Sequence, residues 1–127
     1  MLKFTLGFAL AFFSINSQAD CWIVGNLHGM STSKSDAYQF SKDAFSNRSF
    51  RITAEKDYSS VSGSDLNYIG INPMSVLGTF KEGDRRSVET WNISSDRKKV
   101  FYTMTRTGFY DEIDGIKAFV GDVLGKC

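Results

Sequence analysis

A single histidine, a single proline and two cysteines occur in 127 residues, and each scarcity removes a class of chemistry. With only His28, a histidine-rich metal centre cannot be assembled, and any Ser-His-Asp arrangement has one possible base. The two cysteines do not form a Cys-x-x-Cys pair, which argues against a thioredoxin-like redox site or a zinc knuckle. Nothing fits Gly-x-x-x-x-Gly-Lys or Gly-x-Gly-x-x-Gly, so no phosphate-cradling loop is encoded. The serine elbow Gly-x-Ser-x-Gly is also missing. The cluster Asp111-Glu112-Ile113-Asp114 lacks the glycine-punctuated oxygen spacing of a calcium loop. Neither a metal nor a cofactor is expected.

Excess charge of either sign is lacking too. Lys and Arg number 15 against 14 Asp and Glu, and one of the bases is Lys3, near the N-terminus. Net charge therefore gives no reason to expect nucleic acid or an anionic membrane as the main partner. The basic groups Arg85-Arg86 and Arg97-Lys98-Lys99 have acids beside them and read as solubilising tips.

The one sustained apolar run is N-terminal. Met1-Leu2-Lys3 is a short positive start, Phe4 to Phe13 is almost wholly apolar, and Ser17-Gln18-Ala19 puts small residues at the positions a signal peptidase inspects. About ten apolar residues are too few for a bilayer, which takes roughly twenty as a helix. Residues 1–19 are thus expected to be a cleaved signal peptide. Residues 20–127 are expected to form a single secreted or periplasmic domain, with no membrane association after cleavage. Asp20 directly before Cys21 argues against lipid attachment.

In an oxidising compartment Cys21 and Cys127 are expected to pair with each other, tying together the two ends of the domain. Between them, short runs rich in β-branched and aromatic residues alternate with Gly, Ser, Asn and Asp. Strands are expected over 21–27, 49–53, 66–71 and 76–80, with a hairpin formed by 87–93 and 100–105 around a polar tip. The fold class is all-β: a small antiparallel barrel or sandwich, with room for one short helix. Two segments are ambiguous. Asp36 to Phe45 fits helical or strand spacing. Ile113, Ile116, Val120, Val123 and Cys127 recur at helical intervals, but Gly115, Gly121 and Gly125 disfavour a helix. A disulfide between the ends favours a strand there, paired with the first so that Gly25 faces Val123 and Leu27 faces Gly121.

No catalytic set stands out. Glu55, Glu82, Glu89, Asp111, Glu112 and Asp114 could supply the two acids of a hydrolase, and the sequence does not choose among them. The expected function is therefore non-enzymatic: a small, monomeric exported binding protein acting on a partner protein, as an inhibitor or immunity-type factor does. Phe109 and Tyr110 are the expected anchors, because aromatic residues dominate interface energetics. The alternatives are a barrel carrying a small apolar ligand and a compact carboxylate-dependent hydrolase.

Overall fold

The structure, a computed structural model, describes residues 20–127; the expected signal peptide lies outside the described residues. Nine strands follow one another: β1 (Asp20–Ser33), β2 (Ser41–Ala44), β3 (Ser49–Ala54), β4 (Ser60–Val61), β5 (Asn67–Asn72), β6 (Ser75–Glu82), β7 (Arg85–Ile93), β8 (Lys99–Thr107) and β9 (Gly115–Lys126). They form one antiparallel sheet in the order β4-β3-β1-β9-β8-β7-β6-β5, with β2 also paired to β1. The two ends of that order meet through a single bridge, Ser59 to Tyr68, so the sheet is a nearly closed barrel. At this seam Gly70 lies on the backbone carbonyl of Glu55, an approach that any Cβ would block.

Closure depends on the first and last strands, as the paired cysteines suggest. The Cys21–Cys127 disulfide is formed, and β1 runs antiparallel to β9 along most of its length. The expected register holds at Trp22 and Ile23 and again from His28 to Ser33, and slips by one residue between them. There Val24 faces Val123 and Gly25 faces Asp122; the pairing is irregular after Ile23, with Leu124 of β9 unpaired, and again between Gly25 and His28. Asn26 takes a left-handed φ of 55° at the second irregularity. Trp22 and Val24 point inward before it and Leu27 after it, so one extra residue switches the phase of the strand. Leu27 still packs on Gly121, where an added Cβ would sit 2.8 Å from its Cδ2.

The C-terminal segment is a strand, with Phe119 inward and Ile116 and Val120 facing outward, partly exposed. The room left for a short helix is not used: the described residues contain no α-helix, only a 3-10 turn at Lys34–Asp36. Left-handed φ angles at Ala37 (54°) and Tyr38 (59°) stop it, and β2 follows. No helix among the described residues is long and apolar enough to cross a membrane.

The two ends of the barrel differ. At the end carrying the disulfide, buried Trp22 donates its indole N–H to the Pro73 carbonyl at 3.2 Å, and Lys126 lies over the ring. The opposite end is framed by the β6–β7 turn and the loops around 34–48, 62–66 and 108–114, and it opens into a cavity.

Candidate ligand cavity at the barrel mouth

Alternation along β7 and β8 builds the cavity. From the mouth inward, β7 presents Ser87, Glu89, Trp91 and Ile93 to the interior, and β8 sets Arg106, Met104, Tyr102 and Val100 opposite them. The inner half of this ladder is ordinary apolar core. Towards the mouth the same face turns polar, with a serine, a glutamate and an arginine where a sealed barrel would carry aliphatic residues.

The resulting hollow measures about 440 Å³, within the range usual for small-molecule sites. Trp91 and Tyr102, with ring centroids 4.4 Å apart, and Phe50, 5.2 Å from Trp91, line its inner part. Phe45 closes one side, meeting Phe50 and Tyr102 edge-on at 5.4 and 5.6 Å. Phe80 and Phe109 stack at 5.9 Å on the other side.

Two polar groups in this aromatic setting are incompletely satisfied. Ser87 is 2% exposed, and its Oγ has no hydrogen-bond partner. Glu89 is 8% exposed and accepts hydrogen bonds from the Trp91 indole at 3.1 Å and from the Tyr68 hydroxyl at 3.2 Å. Both fall on Oε1, and Oε2 has no hydrogen bond within the protein. Tyr68 is itself 2.8 Å from Ser64 Oγ. Burial raises the pKa of Glu89 above its ordinary value, against the opposing influence of the two hydrogen bonds and of Arg106. Burial likewise pushes the Tyr68 and Tyr102 hydroxyls upward, with Glu89 contributing, so both stay neutral through the physiological range.

This has a measurable consequence. A carboxyl whose pKa is raised on folding binds more protons folded than unfolded, so its contribution to stability is complete below the unfolded value and is lost as pH rises through the folded one. Glu89→Gln cannot ionise among Tyr68, Tyr102 and Arg106. Chemical unfolding from pH 4 to pH 8 should show it gaining on wild type as pH rises, with the difference smallest at pH 4. Parallel curves would mean that Glu89 is solvated as an ordinary surface carboxylate.

Two arginines complete the mouth. Arg48 sits 4.9 Å above the Phe50 ring and Arg106 5.6 Å from the Phe109 ring. Neither takes part in an ion pair among the described residues, whereas Arg85 is bound to Glu82 and Lys117 to Asp43.

Of the two expected anchors, only Phe109 reaches the site. It is half-buried in the cavity wall, and its loop is held by the Asp114 carboxylate, which accepts from the Gly108 and Phe109 N–H groups at 2.9 Å each. Tyr110 is 70% exposed and does not line the cavity. His28 is exposed, with Nδ1 2.9 Å from the Asn26 carbonyl, and does not line the cavity either. Of the six candidate acids only Glu89 lines it; Asp65, exposed on the β4–β5 loop, stands at the rim. No group of three or more His, Cys, Asp or Glu placed to hold a metal occurs among the described residues.

A second hollow, about 630 Å³, borders Trp22 and Pro73 at the opposite end. Polar residues such as Asn72, Ser75, Asn92 and Arg97 line much of it, and the Trp22 indole is already bonded. Its size is greater, but the unpartnered groups and aromatic walls are at the mouth. No known family, curated protein or solved structure matches the chain.

Proposed function

We propose that this is an exported, non-enzymatic binding protein that holds a small molecule in the mouth of its barrel. One observation carries the reading: an aromatic-walled cavity of about 440 Å³ contains a buried serine hydroxyl without a protein partner, beside a glutamate with one oxygen unused. Burying a hydroxyl unpaired is unfavourable by about 1–3 kcal/mol, a penalty that turning the Ser87 side chain towards a bound ligand relieves. The aromatic walls supply most of the contact, and the polar groups fix orientation. Ordered strands on both sides hold them in place before the ligand arrives, which lowers the entropy lost on binding.

The test is uptake of N-phenylnaphthylamine, a neutral apolar dye that fluoresces on leaving water. One molecule should bind per barrel, with micromolar affinity. Absence of saturable binding to the folded protein would remove the proposal.

A partner protein is the second reading. Tyr38, Phe40 and Tyr110 stand 57%, 59% and 70% exposed on the loops at the mouth. The backbones of those loops are tied by the Lys34 and Ser35 N–H groups, which donate to the Asp114 and Asp111 carbonyls at 2.8 Å each. Exposed aromatics at one end suit a protein docking across the cavity.

A further inference from the structure

Within that reading, we propose that the ligand is a small aryl oxyanion: a flat apolar body for the aromatic walls, with a carboxylate, sulfonate or phosphate head held by Arg106, Arg48 and the Ser87 hydroxyl. The placement of the three groups carries this. Ser87 and Arg106 are direct cross-strand partners on β7 and β8, and both line the cavity, so the two side chains stand side by side on one inward face. The Ser87 hydroxyl is itself buried and turns about its Cα–Cβ bond to meet a ligand. Arg48 approaches from the β2–β3 loop, its guanidinium lying over the Phe45 and Phe50 rings at 5.7 and 4.9 Å.

Arginines with a structural role usually engage a carboxylate, and this protein has enough acids to provide one. Arg85, at the same mouth, is paired with Glu82, and Lys117 with Asp43 at 3.0 Å. Arg48 and Arg106 are the lining cations without an ion pair among the described residues. Each guanidinium lies near an aromatic ring and makes no hydrogen bond or ion pair among the described residues, so its N–H groups are available to bind an oxyanion through paired hydrogen bonds. Ser87 Oγ supplies a further donor, and the interactions of Arg106 and Ser87, set further inside than exposed Arg48, gain from the lower local dielectric.

The deeper groups set the other end of the ligand. Glu89 follows Ser87 on the same inward face of β7, about 6.8 Å further in, with Oε2 unused. Its burial favours the neutral form, which does not repel an anion held nearer the mouth. Trp91 and Tyr102 then bound the space for the aryl body.

Two dyes that share one aryl skeleton separate this inference from the reading beneath it. Anilinonaphthalene sulfonate carries an anion, and N-phenylnaphthylamine is its neutral counterpart. The wild-type protein should bind the sulfonate roughly tenfold tighter or more, the scale of one charge-assisted hydrogen bond. Arg106→Gln and Arg48→Gln should each erase much of that preference, and Ser87→Ala should reduce it a few-fold. The readout is the ratio of the two affinities, because a change that a substitution makes in the shape of the walls affects both dyes and only a lost anion contact changes their ratio. Circular dichroism verifies that each variant is folded. Arg48 is exposed on a loop, so its variant can be read even if Arg106→Gln unfolds. Equal affinity for the two dyes, or a preference that survives both arginine changes, would overturn the aryl-oxyanion assignment and leave the cavity reading standing. Failure of both dyes to bind would remove the cavity reading itself.

Discussion

Replacing Cys127 with serine is expected to lower the unfolding free energy by about 2–5 kcal/mol, the usual range for the native disulfide of a small domain. The bond joins residues 106 apart, so it closes nearly the whole domain into one loop. On the chain-entropy account a loop of that size is worth up to roughly 4.7 kcal/mol, because the unfolded chain loses most when its ends are tied. A domain of this length also buries only about two-thirds of its unfolded surface, so a covalent tie is a large fraction of its net stability. The paired strands β1 and β9 should keep the variant folded, with Cys127 N–H still donating to the Cys21 carbonyl at 3.1 Å in the parent. Urea unfolding should show a lower midpoint together with a steeper slope, since the released chain exposes more surface. A loss under about 0.5 kcal/mol would mean that the ends stay together without the bond.

Trp91→Ala should be comparably damaging, at about 3–5 kcal/mol. Trp91 is 2% exposed and lies between Tyr102, at 4.4 Å, and Phe50, at 5.2 Å. Truncation leaves a void between those rings and also removes the indole N–H that bonds to Glu89. Val88→Ala on the same strand is the control: Val88 faces outward, 43% exposed, and its truncation should change stability by less than about 0.5 kcal/mol. Similar losses at the two positions would contradict the inward and outward assignment of β7, and with it the construction of the cavity.

The all-β class and the tied ends were legible in the sequence because their signals are local or few in number. Two cysteines allow one intramolecular pairing, and the β-former runs of β3, β6, β7 and β8 sit between clear turn residues. The local slip at Val24 and Gly25, in an otherwise expected register of β1 on β9, was not legible: the return to register turns on one left-handed residue, Asn26, and asparagine is too common for its presence to mark a bulge. Nor was β4, which is two residues long and owes its existence to β3 alongside it.

The site was half legible. Phe109 was singled out for its aromatic ring, but it serves the cavity wall, while its neighbour Tyr110 points elsewhere. Ser87, Glu89 and Arg106 were not recognised as a group, although a signal existed. Glu89 is in phase with Trp91 and Ile93 on one strand, and Arg106 with Tyr102 and Met104 on the next. Polar residues continuing an apolar face mark a barrel interior that becomes a site. That Ser87 and Arg106 are opposite each other depends on the hairpin register, and Arg48 joins them only through the closed barrel.

The claim that the mouth is the ligand site is tested most directly by the two tryptophan indole signals in a nitrogen–proton correlation spectrum, followed as N-phenylnaphthylamine is added. Trp91 lines the mouth cavity, and Trp22 borders the hollow at the opposite end. A Trp22→Phe variant assigns the two signals. The Trp91 signal should shift to saturation at one dye per protein while Trp22 stays in place. Movement of Trp22 alone, or no movement of either at saturating dye, would contradict a ligand site at the barrel mouth.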